Sequence, residues 1–294
     1  MIISVASGKG GTGKTTIAVN LALALAKEKG KNVRFLDCDV EEPNAHLFLK
    51  PVITNSELVK IPVPKIDDEK CNYCGKCAEV CVFNAIAVTK NKVLVFPGLC
   101  HGCGACTLFC PEKAISEEGN EIGILEEGKA GSISFIHGLL NIGEPMAPPI
   151  IREIKKRINK DGGIKEKNND ITNHHITLID APPGTSCPVI ESIKDSDYTI
   201  LVTEPTPFGL HDLILAVEVL QKLKISHGVV LNKCDIGDHK VEEYCKKNNI
   251  PLLLSIPLDK EIAVAYSKGI PIVKINSFYE QKFIQLFHKI AQTI

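Results

Sequence analysis

The residues with the most chemistry to offer stand near the start of the chain, where Gly8-Lys9-Gly10-Gly11-Thr12-Gly13-Lys14-Thr15 fits the pattern G-x-x-x-x-G-K-[ST] in full. Glycines at these positions let successive backbone N–H groups converge on phosphate oxygens. A helix opening directly afterwards adds the positive end of its dipole. In such a loop Lys14 reaches the β- and γ-phosphates, Thr15 holds Mg²⁺, and Thr16 hydrogen-bonds the α-phosphate. A glycine-rich turn without a ligand has no need of the lysine and hydroxyl at the fixed spacing.

A second constellation lies further along. Cys71, Cys74, Cys77 and Cys81 are spaced C-x₂-C-x₂-C-x₃-C, and Cys100, Cys103, Cys106 and Cys110 repeat that spacing 29 residues later. Gly75/Gly104, Ala85/Ala114 and Ile86/Ile115 recur at the same offset, which marks an internal duplication. The second run ends Cys110-Pro111 and matches the bacterial ferredoxin pattern completely; the first has Val82 where proline is usual. In two-cluster ferredoxins the fourth cysteine of each run ligates the other cluster. The expected ligands are Cys71, Cys74, Cys77 and Cys110 for one [4Fe–4S] cluster and Cys100, Cys103, Cys106 and Cys81 for the other. Paired C-x₂-C motifs also bind zinc, but the doubled three-plus-one spacing fits tetrahedral zinc poorly. With four thiolates per cluster no iron is left open to a substrate, so electron transfer is the chemistry expected.

The elements that must position these residues can be read from the apolar pattern. Residues 2–7 form a short apolar strand before the glycines, and an alanine- and leucine-rich helix follows to about residue 29. Strands are expected at 33–37, 122–125, 176–180, 199–203, 227–231 and 252–256, with helices at 146–159, 209–223, 241–248 and 278–291. Residues 159–173, rich in Lys, Asn, Gly and Asp, read as an exposed loop. Strands alternating with helices imply an α/β fold, a doubly wound and mostly parallel sheet with ligands at the carboxyl ends of its strands. Between 61 and 119 the pattern changes to prolines and cysteines. Inside it the stretch AIAVTKNKVLVF reads as a hairpin turning at Lys-Asn-Lys. The expected organisation is a discontinuous P-loop domain, 1–64 and 119–294, with an inserted α+β ferredoxin-like domain at 65–118.

The phosphate loop with its extra lysine, KGGTGKT, resembles the deviant motif of the MinD/ParA/nitrogenase iron protein superfamily. The resemblance implies an ATPase whose Lys9 reaches a nucleotide held by a partner subunit, in a homodimer or a heterodimer with a paralogue. Asp37-Cys38-Asp39 resembles switch I, with Asp37 near the Mg²⁺ shell and Asp39 positioning the attacking water. Residues 178–184, LIDAPPG, resemble the strand running into switch II, with Asp180 held to Mg²⁺ through water. Asn232-Lys233 is similar to the strand end whose asparagine reads adenine, and Pro257 falls in the base-flanking loop. Lys9, Lys14 and Asp39 are thus the expected catalytic residues. The implied function is ATP-coupled electron transfer to an unidentified redox partner. Iron–sulfur or metallocofactor assembly, and spatial organisation of a complex with structural clusters, are the alternatives.

Composition narrows the field further. The chain has 294 residues, 44% apolar and 23% charged, enough for one large domain and a small one. Its formal net charge of −1 supplies no general field for nucleic acid or an anionic membrane. No apolar run approaches a membrane span, and the N-terminus reads as a strand in place of a signal peptide. Twelve cysteines without an export signal point to metal ligation in the cytoplasm. Of the four outside the duplicated runs, Cys187 is expected to be a small buried hydrophobe. His101, beside a cluster ligand, is expected to be exposed and inert, and the C-terminal amphipathic stretch to be the last core helix.

Overall fold

The computed structural model describes residues 1–160 and 174–294. The expected loop at 159–173 lies almost wholly outside the described residues. In chain order the strands are β1 (Ile2–Ala6), β2 (Lys31–Asp37), β3 (Val52–Ile66), β4 (Ile86–Val88), β5 (Val93–Val95), β6 (Ile115–Ala130), β7 (Ile133–Leu140), β8 (His174–Asp180), β9 (Tyr198–Thr203), β10 (Ser226–Asn232) and β11 (Leu252–Ile256). The helices begin with α1 (Lys14–Leu25), α2 (Ala45–Leu49), α3 (Lys76–Glu79), α4 (Ala105–Leu108) and α5 (Pro148–Lys160). They continue with α6 (Cys187–Ile193), α7 (Pro207–Leu223), α8 (Lys240–Lys247), α9 (Lys260–Ser267), α10 (Ile272–Ile275) and α11 (Ser277–Ala291).

Nine strands form one sheet in the order β11-β10-β9-β1-β8-β2-β7-β6-β3. From β11 to β7 neighbouring strands are parallel, whereas β6 pairs antiparallel with both β7 and β3. The inner strands are buried on both faces, so they read as continuous apolar runs such as YTILVT, every residue of which is buried. One face is covered by α1, with Ile17, Leu21 and Leu25 fully enclosed, and by α11 through Phe283, Leu286 and Ile290. The C-terminal amphipathic stretch is therefore core, as its spacing implies. No helix among the described residues is long and apolar enough to cross a membrane.

The antiparallel side of the sheet departs from expectation. Only 122–125 was legible as a strand there. In the structure β6 runs over 16 residues and β3 over 15, paired from Val52↔Lys129 to Ile66↔Ile115. Pro62 and Pro64 read as strand breakers in a sequence, but β3 is an edge strand, where a missing N–H is tolerated. The sequence SEEGNEIGILEEGKA of β6 hides its period because much of it is exposed on both faces. At its upper end β7 stops at Leu140, opposite Gly123. Beyond that point β3 and β6 continue alone as a two-stranded ribbon for eight more residues of β6, roughly 26 Å at strand rise. The ribbon crosses the expected boundaries at 65 and 118 without a break and carries residues 67–114 beyond the carboxyl edge of the sheet.

Candidate nucleotide and cysteine sites

The phosphate loop joins β1 to α1 and is held from three sides. Ser7 Oγ donates to the Lys9 carbonyl at 2.6 Å, and Gly184 N donates to the Ser7 carbonyl at 2.9 Å. Asn232 Nδ2, at the end of β10, donates to the Thr12 carbonyl at 2.9 Å. Gly13 has φ 97°, and a Cβ there would lie 2.7 Å from that amide nitrogen, so only glycine fits. Gly8 is pressed against the backbone of Asp212 in α7. Gly10 and Gly11 have open space beside them, where backbone amides can face a ligand.

Charge gathers at this loop although it is buried. Thr12, Lys14 and Thr15 are each below a tenth exposed, and Asp37 and Asp180 are fully buried at paired positions of β2 and β8. Asp37 accepts from the backbone N–H of Asp39 and of Ala45, each at 3.1 Å. Burial first, and the neighbouring Asp180 second, push its carboxyl well above the usual range. Asp180 is pushed up to about 6 by burial, with Lys14 and Thr15 pulling the other way. Neither Asp180 oxygen has a hydrogen-bond partner, nor does Thr12 Oγ1. Two adjacent buried carboxylates beside a Thr hydroxyl are a donor set suited to a hard divalent cation, and Mg²⁺ fits it. Lys14 Nζ lies 3.8 Å from Asp39. Burial raises the Asp39 carboxyl, and Lys14 opposes that rise.

Two expected residues sit differently. The Asn232 amide donates to the phosphate loop, so it positions the loop. Pro257 is exposed at the end of β11, and the adjoining Leu258 N–H donates to Asp235 Oδ1 at 2.6 Å. One residue escaped the sequence reading. Glu204, after β9, receives Lys233 Nζ at 2.6 Å and lies 3.6 Å from Lys9 Nζ. Its position at a strand's carboxyl end was the available signal.

The duplicated cysteine runs adopt one backbone shape twice. Tyr73 and Gly102, Gly75 and Gly104, and Asn84 and Lys113 all have positive φ, each pair 29 residues apart. The helices α3 and α4 follow equivalent turns, and β4 and β5 form the expected hairpin. Two hollows result. One is lined by Cys71, Cys74, Cys77 and Cys110, and the other by Cys81, Cys100, Cys103 and Cys106. Backbone N–H groups point at the sulfurs in matching fashion, Ala85 to Cys81 and Ala114 to Cys110, each at 3.3 Å. Burial raises the Cys77 and Cys106 thiols, so metal binding there must displace protons. Among the described residues, no three His, Cys, Asp or Glu side chains converge on one point where a single metal ion could sit. The four thiols of each hollow line one shared pocket.

Outside the runs, Cys38 and Cys245 are buried, but Cys187 is exposed, contrary to expectation. It opens α6 on the solvent side after the DAPPGTS turn, where a short helix start leaves it uncovered. His101 is exposed but not solitary, since its ring stacks on Phe83 at 3.7 Å and 9°.

Comparison with known proteins identifies the nucleotide-binding part of the chain. The CobQ/CobB/MinD/ParA nucleotide binding domain family matches residues 3–272. An uncharacterised protein of Methanocaldococcus jannaschii is 33% identical over 94% of this chain and 93% of its own length. A protein of Pyrococcus horikoshii named iron-sulfur cluster carrier protein is 26% identical over 99% of this chain and 86% of its own. Among solved structures, the septum site-determining protein MinD of Pyrococcus horikoshii, complexed with Mg-ADP, is similar in fold with a TM-score of 0.58. That likeness is at 23% identity and covers 97% of this chain and 93% of that one. The chain is a P-loop nucleotide-binding protein of the CobQ/CobB/MinD/ParA family, whose members are generally ATPases.

Proposed function

We propose that the protein hydrolyses Mg·ATP and couples its nucleotide state to one-electron transfer through two [4Fe–4S] clusters. The observation that carries this reading is the sorting of the eight cysteines into two hollows of four, each taking three ligands from one run and the fourth from the other. A single zinc ion needs donors about 2.0–2.3 Å away on all sides. Four thiols lining one hollow, with no single-metal point among the described residues, suit a group of many atoms bound at its corners. When bound, such a group supplies one reversible electron at a potential set by net charge, hydrogen bonds and solvent. Four protein thiolates per cluster leave no iron free, which favours electron passage over substrate chemistry.

At the other site Lys14 and the loop amides bind the phosphates, Thr15, Asp37 and Asp180 hold Mg²⁺, and Asp39 orients the attacking water. Lys9 acts across an ATP-dependent dimer interface, and Asn232 and Pro257 flank the base. The inserted domain, 65–118, joins the core through the ribbon. Cluster assembly is the second reading, favoured by the likeness to the protein named iron-sulfur cluster carrier. Anaerobic protein with about eight irons and eight sulfides, whose cluster potentials shift with a non-hydrolysable ATP analogue, supports electron transfer. Unshifted potentials, with rapid release of clusters to an apo-protein, would replace it with assembly.

A further inference from the structure

The duplication makes the two hollows comparable position by position, and their surroundings differ. At the first hollow Asn72 Nδ2 donates to Glu112 Oε1 at 2.9 Å. The equivalent positions at the second, 29 residues away in each direction, are His101 and Phe83, which stack as an aromatic lid. Lys76 and Glu112, of opposite sign, both line the first hollow. The second is also walled by the ribbon, through Pro62 and Pro64 of β3 and Glu117 of β6.

Glu117 has no acidic counterpart, because position 88 of the first half is Val88. Its Oε1 accepts from Thr107 Oγ1 at 3.0 Å. The same oxygen lies 3.1 Å from where a Cβ on Gly104 would be. The carboxylate therefore rests on the turn between Cys103 and Cys106, and Thr107 fastens it there.

Resting on the [4Fe–4S] reading above, we propose that Glu117 is a positioning residue that holds the reduction potential of the second cluster below that of the first. Reduction adds an electron to a group that is already negative. A fixed carboxylate beside two of its ligands opposes that charge. The Phe83–His101 stack and the two prolines line this hollow with largely apolar surface, which solvates added charge less than water does. At the first hollow the lining carries Lys76, whose ammonium also pairs with Glu79 at 3.0 Å, as well as Glu112, and the ribbon contributes only its end residues Ile66 and Ile115. Electrons then run downhill from the second cluster, against the ribbon, to the first.

The experiment is a potentiometric EPR titration of the full chain, loaded anaerobically. The wild type shows two distinct potentials. E117Q shifts the reduction equilibrium of the lower-potential cluster about threefold toward the reduced form and leaves the other in place. That is on the order of 30 mV at about 59 mV per tenfold change. The shift is moderate because the outer side of Glu117 is exposed. E117D, which withdraws the carboxylate by one methylene, moves the same potential in the same direction by less, and it carries the test if E117Q loads poorly. E112Q moves the higher potential only. Loaded variants in which neither potential moves, or in which substitution of Glu117 moves the higher one, overturn the inference. Wild-type protein that takes up no iron or sulfide defeats the cluster assignment itself, which is a separate result.

Discussion

The nucleotide site and the cysteine hollows achieve order by opposite means. At the nucleotide site every functional group hangs on a buried parallel sheet, and the charges are held in place before any ligand arrives. Asp180 has no hydrogen bond to either oxygen and Asp37 is fully buried, so the sheet bears an unfavourable electrostatic load. It can do so because a large apolar core on both faces stabilises it. The insert has no such reserve. Its buried apolar side chains are few: Ala85, Ile86, Val93, Cys100, Ala114 and Ile115. So small a core seldom holds a domain by itself, and metal ligation is the usual remedy. The nucleotide site is built to wait for its ligand, whereas on the proposed cluster reading the hollows depend on theirs for structure.

This contrast can be broken most decisively by removing iron. On the proposed cluster reading, oxidative removal of the clusters is expected to leave residues 67–114 without protected amides while β1 and α1 keep theirs, as read by hydrogen exchange. An insert that stays protected without iron would erase the difference between the two regions.

Lys14→Ala is the reverse test. Loss of the main phosphate charge should lower ATP hydrolysis by about a hundredfold or more, with iron and sulfide content unchanged. Hydrolysis at the wild-type rate would place the chemistry elsewhere. A smaller loss, at least about tenfold in hydrolysis, is expected for Lys9→Ala, which keeps nucleotide affinity but loses the ATP-dependent rise in mass seen by light scattering. If mass and turnover are unchanged, Lys9 serves no partner site.

The smallest effect concerns pH. A buried acid whose native value is raised above its unfolded one destabilises the folded state as it ionises. Stability therefore falls as pH rises from about 4 to about 7, then levels off. For Asp180, raised to about 6, the loss between pH 5 and 7 is about 1 kcal/mol in Mg²⁺-free protein. Asp37 shifts in the same direction. Urea unfolding of wild type against Asp180→Asn should show that difference, and Mg·ADP should remove it. A wild-type curve parallel to that of the variant would mean that Asp180 carries no such load.

Much of this was legible in the residues alone. The phosphate loop, the acidic strand ends at Asp37 and Asp180, and the eight cysteines announce themselves because backbone geometry and ligand chemistry act over a few positions. The core strands and α7, α8 and α11 were also within reach, since their apolar runs are driven by local burial. The ribbon was not. Pro62, Pro64 and the acidic run of β6 carry no clear period, because much of a two-stranded ribbon outside the core is solvated on both faces.

The sequence by itself determined which atoms could hold phosphate and iron, because those demands are written in residue type and short spacing. Only the tertiary structure decided how Glu204 meets Lys9, how Asn232 clasps the phosphate loop, and that Glu117 lies against the Cys103–Cys106 turn. These contacts join residues far apart in the chain or on separate elements. The physical reason is that their distances depend on sheet order and ribbon register, which no local pattern encodes.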